Sequence, residues 1–295
     1  MSNYTKKTLN EYISFTESTL KKFSYKNKLG LQSSVADAMN YSLEAGGKRI
    51  RPVLVLAFCH MCGGDYRKAA APAAAIEMIH TFSLIHDDLP CMDNDDFRRG
   101  KPSCHKKFGE ACAVLAGDAL AIRPFQVIAE SELNDSMKIK LIAELACSSG
   151  AEGMIGGQII DMENEQRSTV NGENLRMMYA LKTGRLIKTS CVMGCIAAEA
   201  SDEQVKNAEE YAHCLGLAFQ IIDDILDVTG DEAALGKPIG SDAEENKTTF
   251  VTLYGIENAR EEAVKLTDKA MKILGRFDNN EFLIELTKYL LDRNY

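Results

Sequence analysis

A chain of 295 residues with 45% hydrophobic and 26% charged residues exceeds one average domain and has the apolar surface to bury a large core. Its formal net charge of −9 argues against nucleic acid as the main partner. The polar N-terminus (MSNYTKKTLNEYISF) reads as lacking a signal peptide, and no run of about 18 apolar residues marks a membrane span, so a cytoplasmic chain with reduced thiols is expected.

In chain order the pattern is helix after helix. Thr5 to Phe23, Ser33 to Glu44 and Ile50 to Met61 come first, broken by Gly30, Gly46-Gly47 and Gly63-Gly64. Ala69 to Asp88 is apolar on nearly every face, which predicts a central buried helix. Cys112 to Ser131, Met137 to Ser149 and Ala151 to Asn164 follow, then Glu173 to Ala200 as one long segment. Asp202 to Val228 is a second long buried helix, and Asn258 to Leu274 and Asn280 to Leu291 close the chain amphipathically. No strand and no interdomain linker stand out. The expectation is all-α: a single-domain helical bundle over residues 1–295 around a deep central cavity.

Both long buried helices end in aspartates: Asp87-Asp88-Leu89-Pro90-Cys91-Met92-Asp93 and Asp223-Asp224-Ile225-Leu226-Asp227. Carboxylates crowded on apolar helices repel one another and resist desolvation, so they call for a cation. Asp223 and Asp227 are four apart and share a helix face. Asp87 and Asp93 are six apart and do not, but Pro90 lies between them and predicts a bend that brings them together on one metal. Asp93-Asn94-Asp95-Asp96 is no EF-hand loop, because Phe97 holds the fifth position and no glycine the sixth.

Cations come in tight groups as well. Gly46-Gly47-Lys48-Arg49-Ile50-Arg51 is a glycine turn with basic residues at a helix entrance, a geometry suited to anions. Arg98-Arg99-Gly100-Lys101 follows the first aspartate cluster, and Lys182, Lys237 and Lys247 are further candidates. Together with metal sites they outline a pocket for two polyanions. Cys59-His60-Met61-Cys62 looks like half of a zinc or redox motif, but no second half with its spacing exists, and these cysteines read as small buried apolar residues.

The strings GGKRIRP, EMIHTFSLIHDDLPCMDNDDFRRGKPSCHKKFGE, LAGDAL, KTGRLI and FQIIDDILD resemble those of trans-isoprenyl diphosphate synthases, in order from about Ala36 to Tyr254, and most closely the bacterial farnesyl type. The resemblance implies three Mg²⁺ ions, with Mn²⁺ an alternative: Asp87 and Asp93 hold two and Asp223 the third, with Asp88, Asp224 and Asp227 supporting. It implies that Gly47, Lys48, Arg51, His80 and Arg99 bind isopentenyl diphosphate, and that Arg98, Lys182, Lys237 and Lys247 hold the allylic diphosphate. Lys182, Thr183 and Gln220 would steady an allylic cation. The implied assembly is a homodimer. Phe82 and Ser83, about one turn before Asp87, are expected to stop the growing chain, with farnesyl diphosphate (C15) the expected product and geranylgeranyl diphosphate (C20) the alternative. A class I terpene cyclase, a metal-dependent phosphohydrolase and a non-catalytic regulatory subunit are the competing readings. The first usually lacks GGKRIRP, the second needs dispersed histidines, and the third would lose aspartates or basic residues that here are intact.

Overall fold

The structure, a computed structural model, describes residues 1–25, 30–165, 170–230 and 247–291. The helices are α1 (Asn3–Phe23), α2 (Ser33–Leu43), α3 (Ile50–Met61), α4 (Ala70–Asp87, led in by a 3₁₀ turn at Tyr66–Ala69), α5 (Cys104–Phe108), α6 (Glu110–Ala129), α7 (Asp135–Ser149) and α8 (Met154–Glu165). Then come α9 (Gly172–Tyr179), a π-helical turn (Ala180–Gly184), α10 (Arg185–Ala197), α11 (Asp202–Thr229), α12 (Phe250–Tyr254), α13 (Ile256–Leu274) and α14 (Glu281–Leu291).

The central helices form where the sequence places long apolar runs. In α4, residues Ala71 to Ile79 are all buried, as is Ile85, so it is covered on every side. α11 opens on a capping box: Ser201 Oγ accepts from the Gln204 amide at 3.2 Å, and Gln204 Oε1 accepts from the Ser201 amide at 3.0 Å. α4 packs on α3 and α6, α3 on α10, α10 on α11, and α11 on α13. Tyr12, edge-on to Phe282 at 5.3 Å, ties α1 to α14.

One expectation needs refinement and another correction. Residues 172–197 stay helical throughout, but not uniformly α, since Ala180–Gly184 form a π turn. Gly216 of α11 lies so near Gly184 that a Cβ there would stand 2.9 Å from the Gly184 Cα, and the chain takes this close approach by widening into the π turn, a device that recurs at functional sites. A strand pair also exists: Phe97–Arg98 and Lys101–Pro102 form an antiparallel hairpin, β1–β2. Its turn residues Arg99 (φ 54°) and Gly100 (φ 73°) are both left-handed, as a tight two-residue hairpin requires. Two residues per strand are too few to leave a periodicity, which is why the pair is silent in the sequence. α6 is long and apolar enough to cross a membrane by length and composition. Here it lies against α2, α4 and α7, with Ala113, Ala116 and Leu120 buried.

Candidate active site

A cavity of about 740 Å³ opens where α3, α4, α8, the π turn and α11 converge, lined at its polar end by Lys48, Arg51, Arg98, Arg99, Lys182, Asp223 and Lys247. Both aspartate-ended helices face it, Leu84 coming from α4 and Phe219, Gln220 and Asp223 from α11.

The chain bends at Pro90 and returns Asp93 toward Asp87. After α4 the chain turns through Leu89 N–His86 O (3.1 Å) and Met92 N–Leu89 O (2.8 Å), and the Asp93 amide returns to donate to the Asp87 carbonyl at 2.9 Å. Burial pushes the Asp87 carboxyl up to about 6; Lys182 opposes the shift and Asp93 adds to it. The Asp93 carboxyl, exposed beyond the bend, is raised as well. The bend thus brings the two acids together, in surroundings that penalise the charge of Asp87.

Asp88 and Asp224 have other partners. Asp88 is buried and takes the Arg98 guanidinium, Nε at 2.8 Å with Nη2 beside it, while Arg98 Nη2 also reaches Asp95 at 2.9 Å. Asp224, also buried, accepts from Tyr179 Oη at 2.6 Å and from the Phe250 amide at 2.7 Å, so it pins α9 and α12 to α11. Asp227 is buried one turn beyond Asp223.

At the opposite rim Gly47 (φ 123°) carries no Cβ where the Arg99 guanidinium lies, since a Cβ would meet Arg99 Cζ at 2.6 Å. Arg99 in turn donates to the Gly46 carbonyl, so the glycine turn and the hairpin form one basic wall. Arg51 Nη1 sits 3.3 Å from His80 Nε2. A guanidinium has only donors, so the imidazole accepts. Burial, and after it Arg51 and Arg99, hold the His80 pKa well below its ordinary value, which keeps the ring neutral. Burial also lowers Arg51, with Glu77 opposing and Arg99 reinforcing, and Arg51 Nε is buried without a hydrogen-bond partner among the described residues. An anion fits there.

Sequence reasoning passed over Arg49, the residue between the two basic ligands. It is left-handed (φ 51°) and turned inward: Nε to Glu17 at 2.7 Å, Nη1 to Glu77 at 2.6 Å and Nη2 to the Leu43 carbonyl at 2.5 Å. It joins α1, α2 and α4 behind the anion wall. The string KRIR signals charge but not its direction, because the partners lie about 30 residues away on either side.

On the long wall the π turn presents Lys182 and Thr183. Thr183 Oγ1 donates to Gln220 Oε1 at 2.6 Å, and Lys182 pairs with Asp161 of α8. Asp161 was also passed over; a lone carboxylate inside GGQIIDM was its signal. Gly157 allows the approach, because a Cβ there would strike the Lys182 backbone. Lys237 lies outside the described residues.

Phe82 and Ser83 do not line the cavity. Phe82 is buried and stands edge-on to His86 at 5.2 Å. His86 Nε2 lies 3.1 Å from the Val114 carbonyl on α6 and against Gly117. His86 therefore bridges α4 to α6, with the buried Phe82 ring packed edge-on against it. Ser83 donates to the His80 carbonyl at 2.9 Å.

The donor set suits a hard divalent cation, being made of carboxylate oxygens with raised pKa values. Among the described residues no three His, Cys, Asp or Glu side chains converge into a ready-made cage.

Comparison with known proteins adds the remaining evidence. Residues 32–287 match the family model described as polyprenyl synthetase. The chain is 46% identical over 264 residues to a chloroplastic geranylgeranyl pyrophosphate synthase of Catharanthus roseus, covering 88% of this chain and 74% of that protein. It is 41% identical over 275 residues to the farnesyl diphosphate synthase of Bacillus subtilis, covering 92% and 93%. Its fold is similar to the crystal structure of an FPP/GFPP synthase from Zymomonas mobilis in the apo state, with TM-score 0.88, 35% identity, and 98% and 100% of the two chains covered.

Proposed function

The chain belongs to the polyprenyl synthetase family and is a short-chain prenyltransferase; from that premise we propose that it condenses isopentenyl diphosphate with dimethylallyl and then geranyl diphosphate, releasing farnesyl diphosphate. The observation that carries this reading is the Phe82–His86 pair, a buried ring on α4 packed against an imidazole that reaches α6. A prenyl tail growing along α4 away from the aspartates would run toward this aromatic pair, with Phe82 five residues, or about 7.5 Å along the helix axis, before Asp87. The second reading, a C20 product, draws support from relatives such as the Catharanthus protein, whose name is that of a geranylgeranyl synthase.

The family is magnesium-dependent. Here Asp87, Asp93, Asp223 and Asp227 would hold the metal, in our reading three ions, while Asp88 and Asp224 orient Arg98, α9 and α12. When bound, Mg²⁺ offsets the negative charge that develops on the departing diphosphate. The chain's own groups do the rest. Arg98, Lys182 and Lys247 draw the allylic diphosphate, and Lys48, Arg51 and Arg99 hold the isopentenyl diphosphate around neutral His80. Thr183 and Gln220 turn oxygen dipoles toward the carbon left electron-poor as the C–O bond breaks. The apolar lining of Leu84, Ile187, Leu215 and Phe219 keeps water from that carbon. The proton lost after carbon–carbon bond formation passes to the released diphosphate.

Mass analysis of the prenyl alcohols released from products made with purified protein, Mg²⁺, isopentenyl diphosphate and each allylic primer tests the reading. A dominant C15 alcohol supports it and a dominant C20 alcohol replaces it with the second. We further propose a homodimer in the cytoplasm, joined through α6 and α7, where Val114, Leu115, Ile122 and Ile139 are exposed apolar residues. Light scattering should give twice the 32.5 kDa chain mass, and a monomer mass would contradict the pairing.

A further inference from the structure

The cysteines of this chain are free thiols among the described residues, and the prenyl-transfer chemistry uses none of them. Most are isolated, but one pair is not. Cys62 caps the C-terminal end of α3, Cys195 sits in the last turns of α10, and their sulfurs are 3.8 Å apart across a separation of 133 positions. That distance is van der Waals contact between two sulfurs on neighbouring helices. Cys62 is partly exposed, whereas Cys195 is fully buried. The arrangement is asymmetric in the way a two-step oxidation requires, with one thiol that a small oxidant can reach and a second waiting behind it.

We propose that Cys62 and Cys195 are a reversible thiol-oxidation site, in which hydrogen peroxide converts the pair to a disulfide that staples α3 to α10. In the first step the Cys62 sulfur attacks the peroxide O–O bond, forming the sulfenic acid and releasing hydroxide, which takes up the Cys62 proton to become water. In the second step the Cys195 sulfur attacks Cys62 Sγ. The S–S bond forms, the S–O bond breaks, and a second water departs with the Cys195 proton. Two electrons leave the sulfurs and reduce one peroxide to two waters, and a dithiol reverses the change.

The surroundings favour Cys62 as the thiol that attacks the peroxide. Its contact with Cys195 lowers its pKa, while contact with Cys62 and burial raise Cys195, and burial lifts nearby Cys59 to about 12. Cys59 is occupied elsewhere, with its sulfur 3.6 Å from the Asp65 carbonyl. The sequence-adjacent CxxC pair is therefore the wrong pair; the reactive partner of Cys62 lies on another helix. The staple ties the far ends of two helices whose near ends hold Arg51 and, across the π turn, Lys182 and Thr183.

The test uses the full chain, fully reduced, then exposed to hydrogen peroxide under native conditions and quenched by alkylation. We expect the loss of two of nine alkylatable thiols, a product about 2 Da lighter by intact mass before alkylation, a non-reducing digest joining the Cys62 and Cys195 peptides, and recovery with dithiothreitol. Because those peptides also contain Cys59 and Cys191, the reduced Cys62→Ser variant, with prenyltransferase activity equal to wild type, must lose the crosslink, and Cys59→Ser must keep it. Accumulation of sulfinic acid at Cys62 without a crosslink, or a crosslink that survives Cys62→Ser, would overturn the proposal. Should Cys195→Ser fail to fold, Cys191→Ser, which must keep the crosslink, separates the two thiols of α10.

Discussion

Replacing Phe82 with alanine removes the plug that the proposed product length depends on. The ring is buried and meets His86 edge-on at 5.2 Å, so truncation leaves a void that the rigid α4–α6 seam cannot fully close. Phe→Ala changes at such sites cost about 3–5 kcal/mol of stability. A bound chain longer by one isoprene unit would fill the same space. At about 0.8 kcal/mol per buried carbon, five carbons bring up to about 4 kcal/mol of burial. If only a third of this distinguishes extension from release of the C15 chain, the ratio of the two shifts about tenfold. The expected result is C20 as the main product of Phe82→Ala, with Phe82→Leu intermediate, read by mass spectrometry of the released alcohols. A folded Phe82→Ala protein, shown so by its melting curve, that still stops at C15 would refute the reasoning and return Phe82 to ordinary core packing.

Three further outcomes follow from the site. Glu77→Gln leaves the buried Arg49 guanidinium short of one counter-charge; calorimetry should find a loss of about 3 kcal/mol, roughly 6–10 °C in Tm, and an unshifted Tm would contradict the role of this pair. Thr183→Ala removes an oxygen beside Gln220 and should lower kcat by about 10²-fold with little change in the KM for isopentenyl diphosphate, whereas a pure KM effect would make Thr183 a binding group only. Asp87, raised to about 6, contributes stability that is present below its ordinary value near 3.8 and lost as pH rises through about 6. Metal needs the ionised form, so Mg²⁺ affinity in the presence of inorganic pyrophosphate should fall by up to about tenfold per pH unit below about 6. Titration calorimetry that finds a flat profile, or the same slope in Asp87→Asn, would remove Asp87 from the metal site.

Some parts of this molecule are legible along the chain and others are not, for physical reasons. The apolar runs of α4 and α11 and the four-residue spacing of Asp223 and Asp227 are local patterns, and the helices lie where those patterns put them. Pro90 announces the turn that sends the Asp93 amide back to the Asp87 carbonyl. The hairpin at Phe97–Pro102 is too short for a pattern, and its left-handed Arg99-Gly100 turn lacks the Asn-Gly or Asp-Gly pair that marks such turns. The π turn depends on Gly216 and Gly157 pressing from α11 and α8, a tertiary fact absent from KTGRLI itself. The hidden work of charged residues is just as non-local. Arg49 faces inward because Glu17 and Glu77 await it, Asp88 serves Arg98, and Asp161 holds Lys182. A list of acids and bases along the chain does not distinguish those that meet ligand from those that steady the ones that do. Cys62 shows the same limit, since its CxxC neighbour Cys59 is not the sulfur it touches.

The most direct test of the central claim is the stoichiometry of a single reaction: purified protein, Mg²⁺, geranyl diphosphate and isopentenyl diphosphate, with diphosphate release and prenyl product followed together. The account predicts one diphosphate released for each isopentenyl unit joined, a C15 product, and loss of both signals with EDTA. Diphosphate release without a carbon–carbon bond formed, or no turnover at all by the folded protein, would contradict it.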